Sequence, residues 1–228
     1  MTNKKNSYNL KEGSGTFVAD GMGLTNGLLT GGATWGEADF VNFGIYHCGY
    51  GGSWERVEMV QTDFEYHTSD SFAWSCRFKR NTSIVADTEV IASIAKQTIN
   101  GTRISIDFRP GGVIRFYVRE VNNYRIWTTL NTYNDDKWHQ AILHWDNGIL
   151  TTFIDGISTD DTESASGTLL GNLYISGGKM ALGAIFQGTS SANFYYDGQN
   201  DCAYFANFNS ALSVADRNNH LQEILCTW

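Results

Sequence analysis

The chain has 228 residues, 14% of them aromatic, with 24 glycines, a single proline and a formal net charge of −8. That length holds one large domain with a sizeable core, and the aromatic content excludes intrinsic disorder. The acidic balance speaks against a nucleic-acid partner, and no segment reaches the ~20 apolar residues that cross a bilayer.

In chain order, residues 1–36 come first. They are rich in Gly, Thr and Asn and carry few periodic apolar residues. They are expected to form a Gly-rich arm with one or two short strands, set apart from a main domain over residues 37–228. Such an arm either reaches over a neighbouring copy or adds strands to its own domain. The first residues include lysines but lack the apolar run and small-residue cleavage site of a secretion signal. Synthesis in a host cytoplasm is therefore expected, the protein staying there or leaving by assembly into a virion or by lysis.

From about residue 40 the pattern has a period of two. Phe72, Trp74, Cys76 and Phe78 alternate with Ala73, Ser75, Arg77 and Lys79, which reads as a half-buried strand with Cys76 facing inward. Ile104, Ile106 and Phe108 form a second apolar stripe. Pro110-Gly111-Gly112 turns the chain, and Ile114, Phe116 and Val118 return it as a hairpin with one apolar and one polar face. Residues 138–145 form another strand, turned at Asn147-Gly148 and followed by 149–154 and a second turn at Asp155-Gly156. Trp127, Trp138 and Phe153 alternate like core residues. The sum is an all-β sandwich or barrel. A helix is expected only at the end, from Val214 to about Gln222, capped by Ser213 with Asp216 as its capping-box partner. It is expected to cover one end of the sandwich.

Cys48, Cys76, Cys202 and Cys226 allow three pairings, and none has a CxxC spacing. In a reducing compartment free buried thiols are the default.

Trp138-His139, then Asp146-Asn147-Gly148, then Phe153-Ile154-Asp155-Gly156 resemble the WH…DG…(V/I)DG signature of laminin G-like domains. These belong to the concanavalin A-like lectin/glucanase jelly rolls. Downstream, Asp197-Gly198, Asp201 and Asn209, Ala211, Leu212, Ser213 are similar to the closing strand of that family and the N-x-A-L-S before its short helix. The resemblance covers roughly residues 40–225, with about two extra residues between Asp201 and Ala211 that suggest a bulge. It implies a two-sheet antiparallel jelly-roll sandwich with a short C-terminal helix. Its members bind glycans, proteins or lipids, and fold alone does not choose among these.

Catalysis has little support. Glucanases of the superfamily carry alternating carboxylates on one strand, close to E-x-D-x-x-E, which aim a nucleophile and an acid/base at one bond. No such run exists here, and the acidic cluster Glu55, Glu58, Asp63 and Glu65 lacks the spacing. His139 reads as structural. Calcium, which many members hold at the rim, would draw on Asp197 and Asp201, although the ion wants six to eight oxygens. Glycan binding would use aromatic platforms in Gly-rich loops: Tyr46, Tyr50 and Trp54 in one loop, Tyr195 and Tyr196 in another. The competing reading is that these rings pack beneath the loops or against another subunit.

These features together read as a non-catalytic, lectin-like jelly roll. The foremost expectation is a virion surface protein of a bacteriophage (capsid decoration, head fibre or tail adhesin). It would touch neighbouring virion proteins or copies of itself as a homo-oligomer, and host glycans. The alternative is a stand-alone carbohydrate-binding module, and a glycoside hydrolase ranks last. No cofactor is required, a structural Ca²⁺ being the one candidate, and neither nucleic acid nor membrane insertion is expected.

Overall fold

A computed structural model of the chain describes residues 4–31, 33–35, 41–42, 56–59, 66, 69–80, 88–95, 102–120, 123–159, 162–166, 179–185 and 200–226. In chain order the strands are β1 (Lys4–Tyr8), β2 (Phe17–Val18), β3 (Gly27–Thr30), β4 (Thr34–Trp35), β5 (Val41–Asn42) and β6 (Arg56–Met59). They continue as β7 (Ser71–Arg80), β8 (Glu89–Ala95), β9 (Arg103–Phe108), β10 (Val113–Glu120), β11 (Asn123–Thr132) and β12 (Trp138–Asp146). The last are β13 (Ile149–Ile154), β14 (Ile157–Ser158), β15 (Thr162–Ser166), β16 (Lys179–Leu182) and β17 (Asn200–Phe208), before one helix, α1 (Val214–Cys226). Among the described residues no helix is long and apolar enough to cross a membrane.

The strands form two antiparallel sheets, so the chain is an all-β jelly-roll sandwich. The first sheet runs β14-β13-β12-β7-β17-β5-β4, with β1 also paired to β17. The second runs β15-β11-β10-β9-β8-β16-β6-β3-β2. The alternation on β7 puts Phe72, Trp74, Cys76 and Phe78 on the inner face, all essentially inaccessible. Opposite them on β12 stand Ala141, Leu143 and Trp145, also buried. The second sheet answers with Ile104, Ile106, Phe108, Ile114, Phe116 and Val118. Phe78 meets Phe108 edge-on across the sheets, at 5.3 Å between ring centroids and 86° between planes. That geometry suits the ring quadrupoles. Cys76 and Cys202 are free, buried thiols, and burial pushes both thiol pKa values upward.

Two turns follow their sequence signals closely. Asn147-Gly148 and Asp155-Gly156 each adopt positive φ at both residues (46° and 92°, 53° and 79°), as tight two-residue hairpins demand. Gly112, with φ of 87°, lies so close to the Asn134 side chain that a Cβ would have no room.

The N-terminal segment resolves the alternative that the sequence left open. β1 pairs with β17 in the first sheet, and β3 pairs with β6 in the second. Residues in 1–36 thus supply strands to both sheets of the same sandwich. One carboxylate holds this segment together. Asp20 accepts hydrogen bonds from Asn6 Nδ2 and from the backbone N–H groups of Ser7, Met22, Leu24 and Thr25, at 2.8–3.2 Å. The Tyr8 hydroxyl adds a 2.6 Å bond to the Thr25 carbonyl.

Several expectations need correction. Helix α1 extends to Cys226, and it lies on the outer face of the first sheet instead of at one end. Ala73, Ile142, Phe153, Tyr204, Ala206 and Phe208 form a second apolar cluster there with Leu212. His220 of α1 stacks on Tyr204 and Phe208, and the Arg217 guanidinium sits 4.0 Å from the Phe153 ring centroid. Phe153 is therefore buried in this outer cluster. Trp138 belongs to the same outer face, half-buried beneath the Arg77 and Lys79 side chains. Period-two alternation could not distinguish a core from a covered outer face. The helix cap is also modified. Ser213 Oγ accepts from the Asp216 N–H at 3.1 Å, but Asp216 reaches back to the Ser213 hydroxyl (2.6 Å), not to its backbone N–H. The shorter Asp side chain accounts for this.

The bulge expected in the closing strand is present. On β17, Cys202 pairs with Phe78 but Tyr204 with Arg77, so one residue, Ala203, is inserted. It resets the alternation, turning Phe205 and Asn207 inward.

The polar face of the β9–β10 hairpin is buried. Asp107, fully inaccessible, receives Arg103 Nη2 at 3.2 Å and Arg115 Nε at 2.8 Å. The Tyr117 ring lies beside both guanidiniums, at 4.7 and 5.1 Å.

The two sheets are clasped by one further ion pair. Arg80 ends β7 and Glu89 begins β8, and two charge-assisted bonds of 2.7 and 2.6 Å join them. Both side chains are only 3% exposed. Removing one partner leaves the other charged and buried, which typically costs about 3–5 kcal/mol. Glu89→Gln is expected to lower the free energy of unfolding by about that amount. Urea denaturation checks this, and a loss under about 1 kcal/mol contradicts a clasp role.

Candidate functional site

A groove of about 410 Å³ opens between the two sheets. Thr129, Leu130 and Asn131 of β11, and Tyr133 just beyond it, form one wall. Ile154 and Asp155 at the end of β13, with Ile157, Ser158 and Thr159 of β14 and its exit, form the other. Leu130 and Ile157 are 68% and 73% exposed, so each offers apolar surface to whatever enters. Hydroxyl, amide and carboxylate groups alternate with them.

The turn positions the carboxylate. With Asp155 at positive φ, its side chain folds back over the start of β12. Asp155 Oδ1 accepts from the Gln140 N–H at 2.8 Å, and Oδ2 is 2.8 Å from His139 Nδ1. The second imidazole nitrogen, Nε2, is 2.9 Å from Asp135 Oδ1. Phe78 and Tyr133 pack against the same ring, at 5.8 and 5.1 Å between centroids. Burial pulls the His139 pKa down, but hydrogen bonds to Asp155 and Asp135 and their charge outweigh it, so the pKa ends above the ordinary 6.5. Asp135 is drawn down to about 2, chiefly by its hydrogen bond with His139. When protonated, the ring donates from both nitrogens, one to each carboxylate. With a carboxylate at each ring nitrogen, His139 braces the wall of the groove.

The sequence-derived candidates fare differently. Tyr46, Tyr50, Trp54, Tyr195, Tyr196 and Asp197 lie outside the described residues. Asp201 is described: it stands opposite Lys79 across β17 and β7, with Oδ2 3.4 Å from the ammonium. It thus faces a cation. Among the described residues no three His, Cys, Asp or Glu side chains gather as a metal would need. Of the acidic cluster, Glu58 pairs with Arg56 at 2.9 Å, and the others lie outside the described residues.

Sequence reasoning missed the groove residues Thr129, Asn131 and Tyr133. Asp155 figures there as a turn former and as part of the laminin G-like signature, not as a site residue. A signal for Asp155 existed, because the tight Asn147-Gly148 turn sets the β12–β13 register. Continuing that register beyond the Ala141–Ile154 pair puts Asp155 opposite Gln140, beside His139.

No family model matches the sequence, and no curated protein matches it. Solved structures do. A botulinum neurotoxin serotype D/C VPI 5993 binding domain superposes with a TM-score of 0.69 at 14% identity, over 97% of this chain and 52% of that one. A botulinum neurotoxin serotype D ligand binding domain in complex with N-acetylneuraminic acid gives 0.68 at 12%, over 97% and 51%. A Trypanosoma rangeli sialidase in complex with sialic acid gives 0.67 at 10%, over 97% and 33%. The chain thus spans about half of the neurotoxin domains and a third of the sialidase. At these identities the likeness is one of fold.

The His139 brace has a pH signature. Its raised pKa means the stabilisation is complete below 6.5 and fades as pH rises through the elevated value. The depressed Asp135 pKa means it persists above 3.8 and is lost as pH falls toward 2. His144 moves oppositely, because burial and then Arg217 lower its pKa. The readout is therefore the difference between wild type and His139→Gln. With both carboxylates partly exposed, the expected deficit near pH 5.5 is about 1 kcal/mol, or about 2–4 °C in Tm. It should shrink at pH 9. An equal deficit at both pH values contradicts the brace.

Proposed function

We propose that the protein is a non-catalytic, lectin-like module that binds a neutral glycan in the groove between its sheets. The observation that carries this reading is the composition of that groove. Sugar rings have apolar faces and hydroxyl rims. The groove sets exposed Leu130 and Ile157 and the Tyr133 ring among Thr129, Asn131, Asp155, Ser158 and Thr159. Such alternation of apolar platform and fixed polar atoms is how ligand sites hold amphipathic molecules.

The charge of the groove selects the ligand. Its one ionised lining residue is Asp155, and no lysine or arginine lines it. Arg103 and Arg115 are turned onto Asp107. An acidic sugar placed beside Asp155 meets a like charge, whereas a sugar hydroxyl can donate to that carboxylate. Two neighbours by fold carry sialic acid in their structures, and the groove chemistry here supports an uncharged sugar.

The setting we propose is the surface of a bacteriophage particle, as the sequence reading suggests.

A glycan array followed by calorimetry tests the binding. Neutral glycans should bind, and Asn131→Ala, at an exposed position, should weaken them at least about tenfold. Trp54→Ala is the comparison, since loss of binding there and not at Asn131 assigns the activity to the aromatic loop. Binding confined to sialylated glycans contradicts the groove assignment.

A further inference from the structure

One side chain touches both walls of the groove. His139, near the start of β12, lies between the turn after β13 and the loop after β11. From the turn, Asp155 Oδ2 stands 2.8 Å from Nδ1. From the loop, Asp135 Oδ1 stands 2.9 Å from Nε2. Tyr133, two residues before Asp135, packs edge-on against the same ring at 5.1 Å between centroids. Asp155 and Tyr133 line the groove on opposite walls.

The charges that act on the ring are those of Asp155 and Asp135. Beyond them, the Lys137 ammonium lies 3.2 Å from Asp135, and Arg77 feels the charge of Asp155. From β7 the ring meets the uncharged Phe78. The neighbours of Phe78 are engaged elsewhere, Lys79 with Asp136 and Asp201, and Arg80 with Glu89.

A protonated imidazole has an N–H for each carboxylate, whereas the neutral ring has one N–H and one lone pair. A lone pair facing a carboxylate at hydrogen-bond distance is repelled, so one contact must open. Asp155 is the better anchored partner. Its backbone N–H donates to the Gln140 carbonyl at 2.9 Å, and its Oδ1 accepts from the Gln140 N–H at 2.8 Å. The Asp135 side chain is 41% exposed, so water can replace the ring as its partner. The neutral ring therefore stays with Asp155 and releases Asp135, which loosens the segment that carries Tyr133.

We propose that His139 is a positioning residue that locks the two groove walls together while protonated and lets the Tyr133 wall relax when neutral, so that ligand binding is favoured in acidic over alkaline solution. The consequence for binding rests on the reading of the groove as a glycan site, and the motion of the wall does not. The two carboxylates raise the pKa of the ring, which puts the transition above pH 6.5. By linkage, a ligand that prefers the locked groove raises that midpoint further.

The test uses the full chain and two NMR readouts. Without ligand, the Tyr133 ring signals and the Leu130 and Ile157 methyl signals are followed with the His139 ring from pH 5.5 to 9. In the wild type they should shift at the His139 midpoint, and in His139→Gln that transition should be missing. Asp135→Asn separates a lock from a merely structural brace. Its amide can donate to Nε2, so the neutral ring keeps both partners, and the wall signals of pH 5.5 should persist to pH 9. In the second readout, methyl β-glucoside, a neutral hexoside, is titrated in. Its Kd should rise at least about tenfold from pH 5.5 to pH 9 in the wild type, and less than about twofold in Asp135→Asn. Wall signals that ignore the His139 titration overturn the proposal. So does a measured affinity that is equal at both pH values, or an Asp135→Asn variant whose walls move as in the wild type. A wall transition without glucoside binding at any pH supports the lock and counts against the glycan reading.

Discussion

The structure depends on strand β7. It is the one strand whose inner face carries Phe72, Trp74, Cys76 and Phe78 in unbroken alternation, and it sits mid-sheet between β12 and β17. A one-residue slip of either neighbour would turn that neighbour's apolar residues out of the core. The burial of four large side chains therefore fixes two registers at once. The β12 register brings His139 opposite Phe78 and hence into reach of Asp155 and Asp135. The β17 register brings Asn207 opposite Trp74. The candidate groove is a consequence of how β7 is paired. Arg80, at the end of the same strand, ties the first sheet to the second through Glu89.

Polar burial is unusually specific in this sandwich. Asp20, Asp107 and Glu89 are each nearly inaccessible, and each is met by several donors or a guanidinium. Such groups cost free energy unless fully paired, so they specify geometry more than they add stability. The groove follows a different logic. There Asp155 is held by Gln140 and His139 on one side while remaining partly exposed on the other, so it can still accept a hydrogen bond from a ligand.

Much of the architecture was legible before any coordinates. The stripes on β7, β9, β10, β12 and β13, the two glycine turns and the helix start at Val214 follow from period, turn chemistry and capping, while a bulge between Asp201 and Ala211 followed from the resemblance alone. Other strands were not legible. In β8, Glu-Val-Ile-Ala-Ser-Ile-Ala, every residue is buried, so polar and apolar positions do not alternate with solvent. In β11 most side chains are half-buried, and the pattern blurs. β2, β4 and β5 span two residues each, too short for any period. The candidate groove was barely legible. Thr129, Asn131 and Tyr133 have no motif, and they meet Asp155 only because strands from different sheets approach one another.

The sequence by itself determined the fold class, the inward stripes and the turns, because these depend on neighbours a few residues apart. It also carried the resemblance that joins Trp138-His139 to Asp155-Gly156. Tertiary structure alone decided three matters. The N-terminal strands joined the sandwich's own sheets, because Asp20 and the open edge of β17 offered partners that lie far away in sequence. Trp138 and Phe153 went to the outer face, because a helix and long cationic side chains cover it. Asn207 turned inward, because one inserted residue reset the alternation of β17. Each of these depends on contacts between distant segments, and local periodicity carries no information about them.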